Sequence, residues 1–411
     1  MKIDKVAIDK INPAAYNPRL DLQPGDKDYE KLKKSIDTFG YVEPLVWNNR
    51  TGNLVGGHQR FKILVAQGDK EVEVSVVDLD PLKEKTLNLA LNKIGGDWDK
   101  DKLGHLLDDL TKLDGFDFEL TGFDTGEISE AIDWITEIPE DPLANIDPNA
   151  LAKTAKGDLI ELGPHRVLCG DSTKKEDLDR LLAGAKAGLL FTDPPYNVNY
   201  GVNLSGAENN QTGWNKIAND NMPQDKYEEW LKQILTNVVA VLDEGAALYV
   251  WNGSRQFGPM YDMLLDLGVH ISSVITWAKE SFVFGRFDYK QQTEFCLYGW
   301  KDNNGSHKWY GPDNETTLWQ VKRDSTINYI HPTQKPIEIA CRGIKNSSKR
   351  GDVVLDLFLG SGTTLIAAQA LSRRCYGIEM EPHYCDAIVK RYVQRVGRDK
   401  VSADLLKKYD L

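Results

Sequence analysis

The stretch Ala187-Gly188-Leu189-Leu190-Phe191-Thr192-Asp193-Pro194-Pro195-Tyr196 decides how the second half of this chain folds and what that half does. Residues 187–191 are short, apolar and bounded by turn formers, the pattern of a buried strand. Two consecutive prolines end the strand at once, because neither has an N–H to give to a sheet ladder. The result is a rigid turn rich in carbonyl acceptors, with one carboxylate (Asp193) and one aromatic ring (Tyr196) at the carboxyl edge of a sheet. That equipment suits a planar ring bearing an amino group. Asp193 and the Pro194 carbonyl can accept the two amine hydrogens while Tyr196 stacks on the ring face. A plain strand-ending turn with a half-buried tyrosine would use the same four residues, so the flanking sequence has to decide.

Outward from this stretch, strands and helices alternate. Arg166–Ser172 reads as a strand ending in Gly-Asp, followed by a helix over 176–182 and then the strand into Asp193. A helix over 226–242, a strand over 246–251, a helix over 260–267 and strands over 271–277 and 293–297 follow. This alternation predicts a mainly parallel, doubly wound α/β sheet. From 303 to 328 the pattern dissolves into Gly, Asn, Trp and charge, as an inserted recognition loop would.

A second constellation is Val353-Val354-Leu355-Asp356-Leu357-Phe358-Leu359-Gly360-Ser361-Gly362-Thr363-Thr364, a buried strand, a glycine-rich turn and a helix start. Cβ atoms are excluded at Gly360 and Gly362 if backbone must pass close to a ligand. No Lys follows the second glycine, so this is not a phosphate-binding P-loop, and the third glycine of the dinucleotide fingerprint is missing. Glu379 ends the next strand at about the twenty-residue offset of a carboxylate that binds ribose hydroxyls. These features suggest a mononucleoside cofactor, and S-adenosylmethionine fits. The alternative is a structural turn with a surface Glu. Between the two constellations, His331-Pro332-Thr333-Gln334-Lys335-Pro336 heads a helix whose N-terminus could receive the cofactor's carboxylate.

Together these residues resemble the amino-methylating DNA methyltransferases (adenine N6 or cytosine N4), whose Asp-Pro-Pro-Tyr and Phe-x-Gly-x-Gly motifs match Asp193–Tyr196 and Phe358–Gly362. The order, with the Gly loop near the C-terminus, is similar to the β group, in which target recognition lies between the motifs. The resemblance covers about residues 157–397 and implies a Rossmann-like fold, S-adenosylmethionine as cofactor and double-stranded DNA as substrate. It makes Asp193, Pro194, Pro195 and Tyr196 catalytic. It assigns Asp171, Asp356, Phe358, Gly360, Gly362, Thr363, Glu379, His331, Thr333 and Lys335 to the cofactor. Lys279, Arg286, Lys290, Lys308, Lys322 and Arg323, in a recognition region at about 280–330, are candidate phosphate contacts. Asn197–Asn221 is a polar candidate for a loop closing over DNA. Asp in the first motif position goes mostly with adenine in this family, and Ser more often with cytosine N4, so adenine N6 is the expected target and cytosine N4 the runner-up. A homodimer and a cognate restriction endonuclease are the further partners to test. Two other readings stay open. One is methylation of RNA or of a protein amide; the other is a DNA-binding regulatory protein with a degenerate methyltransferase half.

Residues 1–95 carry their own pattern. A helix over 29–39 closed by Gly40, a strand at 44–47, a turn at 48–53 and the run Leu54-Val55-Gly56-Gly57-His58-Gln59-Arg60 lead into another helix. A glycine pair opening a helix beside an Arg could cradle phosphate, or could be a tight turn with Arg60 on the surface. With Asn17-Pro18-Arg19 and Gly40–Val46, this segment resembles the ParB/sulfiredoxin-like domain, an α+β fold. The reactive Cys of sulfiredoxins is missing, and the Gly-Glu-Arg-Arg form of nucleotide-binding partition proteins is not matched. Residues 96–156 read as a helical, acidic connector ending in a Pro-containing linker, and 157–411 as the methyltransferase domain.

The 411 residues allow two or three domains with proper cores. No apolar run approaches membrane-spanning length and the N-terminus lacks a signal-peptide core, so a cytoplasmic protein is expected. The five cysteines lie far apart without metal spacing, which predicts reduced thiols and no metal site. The net charge of −12 argues at first sight against a nucleic-acid partner, but much of it gathers between residues 114 and 147.

Overall fold

The computed structural model describes residues 2–93, 98–113, 115–137, 151–199, 219–283, 288–302, 307–312, 314–322 and 334–411. The chain divides into two compact units, Met1–Thr136 and Glu137–Leu411.

The first unit holds β1 (Lys2–Ala7), β2 (Asn12–Pro13), α1 (Lys27–Phe39), β3 (Leu45–Asn48), β4 (Asn53–Gly56), α2 (His58–Gln67), β5 (Glu71–Val77), α3 (Pro81–Asn92), α4 (Lys100–Thr111) and α5 (Thr125–Ile135). Its sheet runs β1-β5-β3-β4-β2, and Leu45, Leu54, Phe61 and Val74 form the core beneath it. The helices α4 and α5 do not form a separate connector. Their leucine and isoleucine stripes, Leu103, Leu107, Ile128 and Ile132, close on Leu89 of α3 in one cluster. An amphipathic helix pair needs such a face to cover, which is why the first unit extends to Thr136. A capping box at Asp124 and Glu127 starts α5.

The second unit contains β6 (Leu159–Leu162), β7 (His165–Cys169), α6 (Lys175–Leu182), β8 (Ala187–Thr192), α7 (Gln224–Val241), β9 (Leu242–Asn252), α8 (Phe257–Asp266), β10 (Val269–Val283), β11 (Gln291–Lys301) and β12 (Leu318–Gln320). It continues with α9 (Ile337–Ser347), β13 (Val353–Asp356), α10 (Thr363–Ala370), β14 (Arg374–Glu379), α11 (Pro382–Val396) and α12 (Ala403–Tyr409). One sheet, ordered β12-β10-β11-β9-β8-β13-β14-β7-β6, runs through it. The stretch β9-β8-β13-β14-β7 is parallel, while β11 is antiparallel to β9 and to β10, and β6 to β7. Part of the segment expected to be an inserted loop belongs to this sheet instead: Leu318–Gln320 pairs in parallel with β10, and Trp319 is buried.

Every residue of β8 is buried, because helices cover both faces. Leu189 and Phe191 point into the core that includes α9, α10 and α11, while Ala187 and Leu190 point into the one that includes α6, α7 and α8. The chain leaves β8 for β9 on one side and returns later as β13 on the other. A crevice at the carboxyl ends of β8 and β13 therefore lies at a topological switch point, where open α/β sheets bind ligands.

Candidate active site

A cavity of about 300 Å³ opens at that crevice. Its walls include Asp193–Tyr196 from the end of β8, Asp356–Ser361 from the end of β13, Glu379–Glu381 from the end of β14 and Asp171 and Ser172 from the end of β7. The strand-end loops are tied together. Ser172 Oγ donates to the Leu357 carbonyl (2.6 Å), and Thr192 Oγ1 donates to Asp356 Oδ1 (3.0 Å). The Tyr227 hydroxyl of α7 donates to the Pro195 carbonyl (2.6 Å), which fixes the double-proline turn from the helix side. Gly253, after β9, leaves room for the Tyr196 ring: a Cβ there would stand 3.2 Å from Tyr196 Cδ2.

At the glycine-rich turn, Gly360 N–H donates to Glu379 Oε2 (2.7 Å) and Glu381 N–H donates to Oε1 (2.8 Å). The Glu379 carboxylate is thus aimed and buried, and burial pushes its pKa up from 4.5 to about 7 against the pull of those two N–H groups. Asp356 is pushed up to about 6 by the same cause, while Thr364 Oγ1 (2.7 Å), Phe358 N–H and Thr192 bind its carboxylate. Gly362 sits at φ +89°, and a Cβ there would meet Ile388 of α11 at 2.8 Å. Its neighbour is therefore packed protein, where the sequence pattern suggested a close-lying ligand.

Thr363 Oγ1 is buried and has no hydrogen-bond partner among the described residues, and Thr363 lines the cavity. Phe358 and Trp230 of α7 contact each other (centroids 5.6 Å apart) and form an apolar wall. An aromatic wall, a buried carboxylate and an orphaned hydroxyl suit a nucleoside, so these residues fit the S-adenosylmethionine expected from the sequence.

Asp193 sits in a charge cluster that the sequence did not announce. Lys335 Nζ forms an ion pair with Asp193 Oδ2, lies 3.1 Å from Glu294 Oε2 and donates to the Tyr196 hydroxyl (3.1 Å). The Tyr196 hydroxyl donates to Asp193 Oδ1 (2.7 Å). Glu294 also pairs with Lys279 (2.5 Å), and two lysines hold its carboxyl down at about 2 despite burial. Burial pushes Asp193 above the ordinary carboxylate range, with Lys335 opposing and Glu294 reinforcing.

The expected site residues thus separate. Asp193, Pro194, Pro195, Tyr196, Asp171, Asp356, Phe358, Gly360, Thr363, Glu379 and Lys335 line one cavity. Lys335 turns to Asp193 there, away from the role of cofactor ligand that its place before α9 suggested. Lys279 is buried on Glu294, so it is not the phosphate contact expected from its charge. Lys308 lies 3.5 Å from Asp243, whereas Lys290 and Lys322 are exposed. His331, Thr333, Arg286, Arg323 and most of the loop 197–221 lie outside the described residues. Sequence reasoning missed Glu294, Trp230 and Tyr384 as cavity residues. Glu294 carries no motif, and Trp230 sits in a helical stripe that reads as core. Among the described residues no cluster of side chains suits a metal ion.

The first unit has a cavity of its own, about 570 Å³, whose lining includes Arg19, Glu43, Gly57, His58 and Arg60. Arg60 is ion-paired to Glu43, and burial pushes His58 down to about 4, which keeps it neutral.

Comparison with known proteins finds one family in each unit. Residues 187–390 match the family described as DNA methylase, and residues 1–93 match the ParB N-terminal domain. The type II methyltransferase M.HpaI of Haemophilus parainfluenzae is 27% identical over 251 residues, which cover 55% of this chain and 73% of that protein. The type II methyltransferase M2.MboI of Moraxella bovis is 26% identical over 223 residues, covering 50% of this chain and 80% of that protein. Among solved structures, the complex of M1.HpyAVI with S-adenosylmethionine (SAM) is 24% identical, with a TM-score of 0.40, and covers 53% of this chain and 93% of that one.

Proposed function

We propose that this chain, a DNA methyltransferase of the N6/N4 type whose residues 187–390 belong to the DNA methylase family and whose residues 1–93 form a ParB N-terminal domain, methylates the exocyclic N6 of adenine in duplex DNA. The observation that carries the reading is Asp193 itself: a carboxylate at the carboxyl end of β8, in a cavity shared with a nucleoside-type wall and a buried acid. Asp at this position, in place of Ser, supports adenine over cytosine N4.

The cofactor is S-adenosylmethionine, which supplies an electrophilic methyl group on a sulfonium. Glu379 would accept hydrogen bonds from the ribose hydroxyls, Phe358 and Trp230 would flank the adenine, and Thr363 would offer its unpartnered hydroxyl. A base inside a duplex cannot reach this crevice, so the target must be flipped out of the stack. The Tyr196 ring offers a stacking surface in exchange. An aromatic amine is a poor nucleophile because its lone pair is delocalised into the ring. Hydrogen bonds to Asp193 and to the Pro194 carbonyl favour the pyramidal geometry that frees the lone pair. The chain then contributes chiefly positioning and electrostatics. The exposed Lys290 and Lys322 are the described candidates for phosphate contact, with Arg286 and Arg323 beside them in sequence.

No helix among the described residues is long and apolar enough to cross a membrane, and we place the protein in the cytoplasm with the DNA. A homodimer and a cognate restriction endonuclease are the further partners we propose, tested by sizing and by genetics. The functional test is direct: duplex DNA is incubated with the protein and isotope-labelled cofactor, digested to nucleosides and analysed by mass spectrometry. Label in N6-methyladenine is the expected result. Label in N4-methylcytosine alone would move the target and leave the fold standing, and an unlabelled duplex would remove the assignment.

A further inference from the structure

We propose that Lys335 and Glu294 are positioning residues for methyl transfer: Lys335 keeps the Asp193 carboxylate ionised and aimed at the target amine, and Glu294 holds Lys335 in place to do so. This inference rests on the methyltransferase reading above and deepens it.

The geometry is specific. The Lys335 side chain is only 9% exposed, and an ammonium has three hydrogens to place. Three oxygens surround it: Asp193 Oδ2 in an ion pair, Glu294 Oε2 at 3.1 Å and the Tyr196 hydroxyl at 3.1 Å. The faces of Tyr196 and Trp251 lie 5.5 and 5.1 Å from Nζ, so aromatic rings complete its surroundings. Glu294 is held from two sides, Oε1 by Lys279 and Oε2 by Lys335. Lys279 in turn lies over the Trp277 ring at 4.9 Å. Two partly exposed carboxylates and two buried ammonium groups therefore share one site with no net charge.

The need for this arrangement follows from what Asp193 must do. An ionised carboxylate is the stronger acceptor for the amine hydrogen, and protonation turns one of its two oxygens into a hydroxyl donor. Burial opposes ionisation, and so does the charge of Glu294 nearby. Lys335 is the cation in contact with Asp193, and so supplies the opposing field. Glu294 alone would make matters worse for Asp193. Paired with Lys279 and contacting Lys335, it becomes the second anion that keeps an ammonium in an apolar site. The Tyr196 hydroxyl bridges Lys335 and Asp193, accepting from the first and donating to the second.

The test compares wild type with Lys335→Met, Lys335→Arg and Glu294→Gln in the full chain. Single-turnover methylation of duplex DNA is measured from pH 5.5 to 9, with cofactor affinity by calorimetry and a thermal melt for each variant. The other titratable groups facing Asp193 are Asp356 on β13, Tyr227 on α7 and Cys296 on β11, and all are present in every variant. Lys335→Met should lower the rate by about 100-fold, the size of losing one preorganised electrostatic partner, while cofactor affinity stays within about threefold. Its acid limb should move to higher pH, since Asp193 now ionises later. Lys335→Arg should recover part of the rate, and Glu294→Gln should lower it by about tenfold. A Lys335→Met variant with wild-type rate and pH profile overturns the proposal, as does one that loses cofactor affinity but keeps its rate at saturation. If Lys335→Met shows no cooperative melt, Glu294→Gln decides, and a wild-type pH profile there overturns the proposal. Wild-type protein that labels no duplex DNA would instead remove the methyltransferase reading itself.

Discussion

Two carboxylates, at the ends of the strands β8 and β14 that flank β13, have opposite tasks, and their surroundings say which. Asp193 touches a lysine and a phenol, whereas Glu379 is bound by backbone N–H groups of its own turn. Asp193→Ala is therefore expected to abolish methyl transfer and leave cofactor affinity nearly intact, which calorimetry alongside a methylation assay measures. Glu379→Ala should do the reverse, weakening cofactor binding by about 1–3 kcal/mol through loss of charge-assisted hydrogen bonds. The pKa of Glu379, pushed up to about 7, adds a pH dependence. Hydroxyl donors favour the ionised carboxylate, so cofactor affinity should rise as pH passes upward through about 7, and Glu379→Gln should flatten that rise. The same shift bears on stability. A carboxyl whose folded pKa is raised from 4.5 to about 7 favours folding below 4.5, and that contribution is lost as pH rises to 7. Melting of the ligand-free protein across pH 4.5–7 would show it, if compared with Glu379→Gln.

At the scale of elements, the turn between β13 and α10 is shaped by packing as much as by a ligand. Gly362 adopts φ +89° and faces Ile388 of α11 so closely that a methyl group would stand 2.8 Å from it. Gly362→Ala adds left-handed backbone strain to a steric clash, and each is of order 1–3 kcal/mol. A fall in melting temperature of several degrees is expected, together with weaker cofactor binding because α10 starts in the wrong place. In an Ile388→Ala background, which removes the clashing Cγ1 and Cγ2, adding Gly362→Ala should cost the strain and not the clash. Unchanged melting of the single variant would show that the turn has slack.

For the whole molecule, the two units have their own cores, and Met1–Thr136 includes helices α4 and α5. A fragment of residues 151–411 should therefore fold and bind S-adenosylmethionine with the affinity of the full chain, as calorimetry would measure. A fragment of residues 1–136 should melt cooperatively, whereas one ending at residue 95 should not, since it strands Leu89 without the leucines of α4. Equal melting of the two shorter pieces would restore the boundary that composition alone suggests.

The sequence by itself determined the parts whose chemistry is local. A strand buried on both faces must be an unbroken apolar run, a double proline must end it, and a glycine turn followed by an acid must close the next βαβ unit. The strand into Asp193, the turn at 360–362 and Glu379 were legible for that reason. The helical face of 103–110 was legible too, but not what it covers, because periodicity marks a face without naming its partner. Only the tertiary structure decided the rest. Lys335 and Asp193 are 142 residues apart, and Tyr196 and Glu294 are 98 apart. Their meeting depends on β8, β9 and β11 lying side by side and on α9 beginning over that edge. A lysine in a polar segment has the same letter whether it binds phosphate in water or, like Lys279, neutralises a carboxylate in the core. Burial sets that difference, and burial belongs to the fold.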